Sequence, residues 1–421
     1  MSSPSDRSFF QVDENSYCLS VLDGRITLTI DRLRRERHEL KGELAVACNL
    51  PGARVVPDTE HSLSLADFNL SSASARGTQA KVLADRSNAE ELDWRGLLEE
   101  FCQRVIHAER RGSPSRPLDA YERPGPAAVL DVAGWRLLRD HPAILFADGD
   151  TGKSLLALYA CGLLAQQGLR VLLCDWELDG HAHRERLERL FPHLPTVHYL
   201  KCDRPLVEEV DRIRRETRRL AIDYLVNDSI GFATPGPPEY AEHATSYFRA
   251  LRQLDIGGSL HLAHVTKDSA DPKRAEAKPF GSAYWHNSAR LTWFAKKAAA
   301  SSDGRQITLG LFNRKFNLGR AFPAVGFQLT FDEDRTVVAR VNLADVDDLA
   351  GQLPLWQRIA HLLKTTGPQS IEAIAEELEA KEDSVKKAVS PRRAKGGQSM
   401  FVVIPSSDGR PRIGLLDRGI A

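Results

Sequence analysis

Nothing in this sequence approaches the run of roughly 18–20 apolar residues that crosses a bilayer as a helix. Its first residues, MSSPSDRSFFQVDENS, have neither the basic start nor the apolar stretch of a secretory leader. A cytoplasmic protein with no membrane partner is expected. Cysteine is scarce and dispersed: Cys18, Cys48, Cys102, Cys161, Cys174 and Cys202 form no CxxC pair and no His-flanked cluster. That spacing argues against a zinc ribbon or a dithiol redox centre and leaves reduced, buried thiols. There is no excess of charge either, because 57 Lys and Arg balance 57 Asp and Glu. No global field draws the chain to nucleic acid, so any electropositive surface must be local. Internal repeats and long low-complexity tracts are lacking too. What is present is a chain of 421 residues, 42% of them hydrophobic, enough for two or three domains with proper cores.

Residues 17–56 carry strand signals: YCLSVL, a turn at Asp23-Gly24, then ITLTI and GELAVAC with alternating or β-branched character. Residues 79–110 switch to a helical pattern with Leu97, Phe101, Val105 and Ile106 on one face, so 1–110 reads as an N-terminal α+β accessory domain. The interleaved charges of DRLRRERHELK within it suit a solvated face. RGSPSRPLDAYERPGP, 111–126, is a Pro-, Gly- and Ser-rich linker. In 127–349, short apolar runs alternate with helical patterns: AILFA, VLLCDW, VHYLKC, DYLVNDS and SLHLAHV, then ITLGLF, FQLTF and VVARVNL. This is an α/β pattern, with a mostly parallel sheet and an antiparallel extension made by the last three runs. The final segment, 350–421, has three short apolar stripes, on Trp356, Ile359, Ala360 and Leu363, on Ile371, Ile374, Ala375 and Leu378, and on Val385, Ala388 and Val389. A hairpin pattern around Ser407-Asp408-Gly409 follows. Three helices and a hairpin suggest a winged helix.

AILFADGDTGKSLLALYA places an apolar strand, a Gly-containing loop and a Lys-Ser pair opening an apolar helix in succession. This is the P-loop arrangement, in which backbone N–H groups and a helix N-terminus cradle phosphate oxygens. The nucleotide contacts are assigned to Asp148, Gly149, Asp150, Thr151, Gly152, Lys153, Ser154 and Leu155, with Lys153 on the β/γ-phosphates and Ser154 on Mg²⁺. The ligands expected are ATP and Mg²⁺. Ala147 replaces the usual first glycine. Asp150 sets a carboxylate beside the phosphates, which weakens binding unless it points away or pairs with a base such as Arg184 or Arg290. Glu177, after VLLCDW, stands where a base could orient and deprotonate the attacking water, or is one of three loop or cap carboxylates with Asp175 and Asp179. DYLVNDS ends on Asp228, the candidate second Mg²⁺ group, in preference to Asp223 at the strand start.

A P-loop, a glutamate after the next strand, a strand ending in Asp-Ser and a strand ending in a polar residue resemble the RecA-like P-loop ATPases. Within them residues 143–345 are most similar to RepA-like and DnaB-like ring helicases and related ATPases of plasmids and phages. The resemblance implies that His264 senses the γ-phosphate with Lys267 near it. It implies that KPFGSAYWHNSARLTWFAKK carries an inter-subunit and DNA-facing loop, and that Arg314 or Lys315 in LGLFNRKFNLG is a finger completing a neighbour's site. The finger implies self-association into a ring or other oligomer. His264 also suits an ordinary strand-end histidine, and Arg314 and Lys315 two solvated basic residues.

From Ser384 to Arg412 the seven basic residues Lys386, Lys387, Arg392, Arg393, Lys395, Arg410 and Arg412 face one acid, Asp408. A third helix and wing so charged would lay one element in a DNA groove and the other on phosphates, with Lys386, Lys387, Arg392, Arg393 and Lys395 as the DNA contacts. Winged helices also dock proteins. The reading is a DNA-associated, oligomeric ATPase, either a helicase or translocase of replication or mobile elements, or a DNA-bound regulatory or defence switch that does not unwind.

Overall fold

The computed structural model describes residues 7–13, 15–89, 91–122, 128–265, 279–298, 304–390, 400–405 and 411–416. Two units, Met1–Arg123 and Pro124–Ala421, are each built on their own apolar interior.

In the first unit, strands β1 (Arg7–Asp13), β2 (Ser16–Val21), β3 (Ile26–Glu36), β4 (Glu39–Cys48) and β5 (Ser62–Asn69) pair antiparallel in chain order. Because strand side chains alternate between faces, Ile26, Leu28 and Ile30 of β3 are buried together while Thr27 and Thr29 are only partly covered. Helices α1 (Ala73–Ser87) and α2 (Trp94–Arg111) share that core through Leu83, Leu97, Phe101 and Val105. The helical stretch expected over 79–110 is thus two helices. Asn88 ends the first in a left-handed conformation, φ 50°, and Asp93 caps the second by accepting from the Gly96 N–H at 2.9 Å. The basic run at the β3–β4 turn is internally neutralised: Arg32 pairs with Glu43, Arg34 with Glu36 and Asp67, and Lys41 with Glu36 and Glu39.

The second unit opens with a hairpin, β6 (Val129–Val132) and β7 (Trp135–Leu138), and then forms a nine-stranded sheet. Its strands are β8 (Pro142–Ala147), β9 (Val171–Asp175), β10 (Val197–Lys201), β11 (Tyr224–Asp228), β12 (Gly258–His264), β13 (Leu291–Lys297), β14 (Gln306–Phe316), β15 (Val325–Phe331) and β16 (Thr336–Val341). Across the sheet they run β10-β9-β11-β12-β8-β13-β14-β15-β16. The strands from β10 to β13 are parallel, and β14, β15 and β16 extend the sheet antiparallel, as the three closing apolar runs predict. Helices α3 (Lys153–Gln166), α4 (Gly180–Leu190), α5 (Leu206–Arg219), α6 (Ile230–Ala233), α7 (Ala241–Arg252) and α8 (Ala283–Ser288) cover it. Strand β8 is apolar at every position from Ala143 to Ala147 because both of its faces are buried. Ala143, Leu145 and Ala147 enter the core shared with α3, and Ile144 and Phe146 enter the core shared with α5 and α7.

One strand of the nine is absent from the eight apolar runs read from the sequence. Within the segment expected to carry an inter-subunit and DNA-facing loop, LTWFA is strand β13, parallel to β8, with Leu291, Trp293, Phe294 and Ala295 all buried. Leu291, Trp293 and Ala295 enter the core shared with α3 and Phe294 enters the other.

After α9 (Asp347–Ala350), helices α10 (Leu355–Thr366), α11 (Ile371–Glu377) and α12 (Glu382–Val389) and the antiparallel pair β17 (Phe401–Ile404) and β18 (Arg412–Leu415) gather around Ile359, Ile374, Val385, Phe401 and Ile413. Gln369, between α10 and α11, exchanges two backbone hydrogen bonds with Ile413, at 3.1 and 2.7 Å, so a third chain segment joins the pair. The turn at 407–409 lies outside the described residues.

Candidate active site

Strand β12 lies between β8 and β11, so the chain leaving β8 crosses two strands to reach β9. The carboxyl ends of β8, β9, β11 and β12 therefore open on one crevice, where ligands bind in open parallel sheets. A cavity of about 640 Å³ occupies it. Residues 150–155, Glu177, Asp228, Ser229 and His264 line it, together with Arg186 and Arg189 of α4 and Ile307, Phe331 and Thr336 of the antiparallel strands.

The loop 148–152 turns sharply into α3. Gly152 takes φ +87°, a conformation costly for any side chain, and hands the chain to Lys153 at the helix start. The Asp148 carbonyl accepts from Thr151 Oγ1 at 2.6 Å and from Lys153 Nζ at 2.7 Å, and the Ala147 carbonyl accepts from the same amine at 3.2 Å. Burial holds the Lys153 ammonium below its ordinary pKa, against the opposing pull of Asp228, Glu177 and Asp148. Asp148, Gly149 and Asp150 are exposed. Asp150 has φ 54° and lines the cavity, with no ion pair or hydrogen bond to Arg184 or Arg290; Arg184 instead bonds Glu188 at 2.8 Å.

Asp228 ends β11 almost fully buried, joined to Ser229 through a cis peptide bond. Burial above all, helped by the Glu177 and Asp175 charges, pushes its carboxyl up to about 6 against the lowering pull of the Ser154 hydroxyl. Asp223 sits before the amino end of β11 and is held by Arg170, whose guanidinium keeps its carboxyl below the usual range.

Of the three carboxylates Asp175, Glu177 and Asp179 at and beyond the end of β9, two are engaged in local structure. Asp179 caps α4, accepting from the His181 and Ala182 N–H groups at 2.8 and 2.9 Å. Asp175 is fully buried against His183. Glu177 alone of the three lines the cavity, and its Oε1 accepts from the Ser229 hydroxyl. His264 lies at the end of β12 on the same cavity, its pKa lowered by burial and then by Lys153.

Arg314 and Lys315 lie in β14 and do not line this cavity. The Arg314 guanidinium rests over the Phe294 and Phe312 rings, 5.4 and 5.7 Å from their centroids. Lys315 Nζ donates to the carbonyls of His286, Asn287 and Ala289 at 2.7 to 2.8 Å, closing the end of α8. Lys386 and Lys387 are exposed on α12; Lys267, Arg392, Arg393 and Lys395 lie outside the described residues.

Sequence reasoning missed Ser229, although it directly follows Asp228, and it missed Arg186, Arg189, Ile307, Phe331 and Thr336. The last three carry no local signal, because they reach the cavity only when the antiparallel strands fold back beside the P-loop.

The donor set fits a metal–nucleoside triphosphate. A helix N-terminus and one ammonium face the place for phosphates. One hydroxyl, of Ser154, and one carboxylate, of Asp228, line the cavity together and offer hard oxygen donors to a cation that keeps water and phosphate oxygens as its other ligands. Among the described residues no cluster of three His, Cys, Asp or Glu could hold a metal without such help.

No protein-family model and no curated protein matches the sequence. Solved structures do resemble part of it. A DnaB-like replicative helicase, described with its interactions with primase, is 14% identical with TM-score 0.38 over 47% of this chain and 57% of that one. A KaiC-like protein from the hyperthermophilic archaeon Pyrococcus horikoshii is 15% identical with TM-score 0.36, over 48% of this chain and 91% of that one. The flagellar accessory protein FlaH of Methanocaldococcus jannaschii is 13% identical with TM-score 0.35, over 48% and 89%. By its own strand order, with β12 inserted between the P-loop strand and the strand ending in Asp228, this sheet has the RecA-like P-loop ATPase fold.

Proposed function

We propose that this protein is an oligomeric, DNA-associated ATPase, with helicase or translocase action as the form its activity takes. The observation that carries the ATPase reading is the meeting on one cavity of Lys153, the Ser154–Asp228 pair, Glu177 held by Ser229, and His264. Lys153 and the N–H groups at the start of α3 bind the phosphates, and Ser154 and Asp228 are the groups that would hold Mg²⁺. Bound there, the cation would neutralise charge on the phosphate oxygens. Glu177 accepts the proton of the attacking water, and the Ser229 hydroxyl keeps its carboxylate turned toward the cavity. His264, at the end of β12 on the same cavity, senses the terminal phosphate in this reading. DNA association rests on the exposed Lys386 and Lys387 of α12 and on the helices and added strand segment of a winged-helix pattern.

Lys153→Ala should abolish nucleotide binding, whereas Glu177→Gln should bind ATP as the parent does and hydrolyse it at least 100-fold more slowly, roughly the scale of a lost general base. Calorimetric titration with a non-hydrolysable analogue and a phosphate-release assay separate the two. Equal loss of binding in both variants removes Glu177 from the reaction.

A further inference from the structure

We infer that Asp175 and His183 are a positioning pair for Glu177, an inference that rests on the reading of Glu177 as the base. Asp175 is the last residue of β9 and has no exposure to solvent. Its carboxylate takes three hydrogen bonds: Oδ1 from the Glu177 N–H at 2.8 Å, and Oδ2 from the Leu178 N–H at 3.2 Å and from His183 Nε2 at 2.5 Å. A carboxylate only accepts, so Nε2 carries the proton and the ring is held in one tautomer. Leu178 is gripped from the other side as well, because the Tyr199 hydroxyl donates to its carbonyl at 2.8 Å and the Tyr199 ring lies 5.7 Å from the His183 ring. Glu177 thus sits on a turn in which its own N–H and that of Leu178 are fixed by one buried anion, and that anion is oriented by a side chain from the first turn of α4.

Packing alone does not account for a histidine at this place. Its Nδ1 is buried with no partner among the described residues, an arrangement that costs free energy and that an apolar side chain of similar volume would avoid. The compensating interaction is the bond to Asp175, which would otherwise be a buried charge with only two amide partners. His183 does not line the cavity, so its contact route to the reaction is the 175–178 turn. A base must meet its water within a few tenths of an ångström, so loosening that turn should slow hydrolysis and leave nucleotide binding alone.

The test compares the full-length parent with His183→Met, His183→Gln, Glu177→Gln and the His183→Met/Glu177→Gln double variant, measuring single-turnover ATP hydrolysis and analogue affinity. His183→Met removes the donor at similar volume in a helix-forming residue, and should slow hydrolysis about 10- to 100-fold with affinity changed less than about twofold. His183→Gln can still donate to Asp175 and should recover most of the rate. The double variant should be no slower than Glu177→Gln alone, since the positioning role of His183 is exerted through that residue. A further multiplicative loss in the double variant, an affinity loss as large as the rate loss, or no rescue by glutamine overturns the positioning role. Should His183→Met fail to fold, His183→Leu, which also removes the donor at similar volume, replaces it with the same expectation and the same overturning results. Parent-like hydrolysis by Glu177→Gln overturns the reading of the base itself, whereas an inactive Glu177→Gln beside a fully active His183→Met overturns only the inference about the pair.

Discussion

Asp150 stands at the mouth of the cavity, exposed, with φ 54°, a backbone setting that glycine adopts freely and aspartate tolerates. Neither Arg184 nor Arg290 neutralises it. Two like charges ~5 Å apart at an effective dielectric of ~20 repel by roughly 3 kcal/mol before Lys153 and a cation screen them, so a net penalty near ~1 kcal/mol is expected. Asp150→Gly should therefore tighten binding of an ATP analogue several-fold and raise turnover at limiting ATP, with the left-handed backbone relaxed as a further gain. Asp150→Asn keeps the backbone preference and removes only the charge, so its gain isolates the electrostatic part. Calorimetry on the three proteins decides it; unchanged or weaker binding by the glycine variant would show that the carboxylate is neutral or useful.

At the level of elements, the two faces of the central strand β12 are treated differently. Leu260 and Leu262 meet the core of α3, while His261 is fully buried on the face covered by α7. There His261 Nδ1 lies 2.8 Å from the Tyr247 hydroxyl and 3.2 Å from Asn227 Nδ2, and Nε2 lies 2.8 Å from Ser259 Oγ. This network ties β11, β12 and α7 together directly beneath Asp228. Burial drives the His261 pKa from 6.5 down to about 3, so the folded ring stays neutral where the unfolded ring takes up a proton. The folded value is depressed, so the stabilising contribution is complete above pH 6.5 and is lost as pH falls toward 3, because the unfolded state binds more protons in that window. Between pH 6.5 and 5 the loss should be about 2 kcal/mol. His261→Gln should be less stable at pH 7.5 but should lose less on acidification. Urea unfolding midpoints of the two proteins at pH 7.5, 6.5, 5.5 and 5.0 measure it, and parallel pH profiles would mean that acid acts elsewhere.

At the scale of the whole molecule, the proposed finger and the proposed DNA-binding residues ask for different experiments. Lys315 closes α8 through three carbonyls, so its removal would damage the fold. Arg314 is the cleaner probe. If Arg314 serves a neighbour's nucleotide, Arg314→Ala and Lys153→Ala should each fail to hydrolyse ATP alone, and their mixture should regain part of the parent activity at interfaces that join an intact P-loop to an intact finger. A silent mixture whose assembly is confirmed by mass measurement argues against the finger. For DNA, the balanced net charge makes any affinity depend on local patches. Lys386 and Lys387 are exposed, and only Lys386 has a nearby carboxylate, Glu382 at 3.4 Å. Lys386→Glu/Lys387→Glu should weaken DNA binding and flatten its salt dependence, the logarithmic slope falling by about one for each phosphate that is no longer neutralised. An unchanged slope in fluorescence anisotropy titrations would move the DNA site off α12.

The sequence alone determined those features whose parts are contiguous. The P-loop is a strand, a turn and a helix start within a dozen residues, so apolar periodicity, Gly152 and the Lys153-Ser154 pair specify it locally, and the stripes of α10, α11 and α12 are legible for the same reason. Tertiary structure decided everything that depends on which strand lies beside which. Placing β12 between β8 and β11 brings Glu177, Asp228 and His264 to one cavity although long stretches of chain separate them. The same sheet turned LTWFA into a central strand, because an apolar run reads alike whether it lies in a sheet or beside one until its neighbours are known. It also joined Asp175 to His183 and turned the antiparallel strands toward the cavity. Pairings of this kind depend on register and packing between distant segments, and no local pattern of residues encodes them.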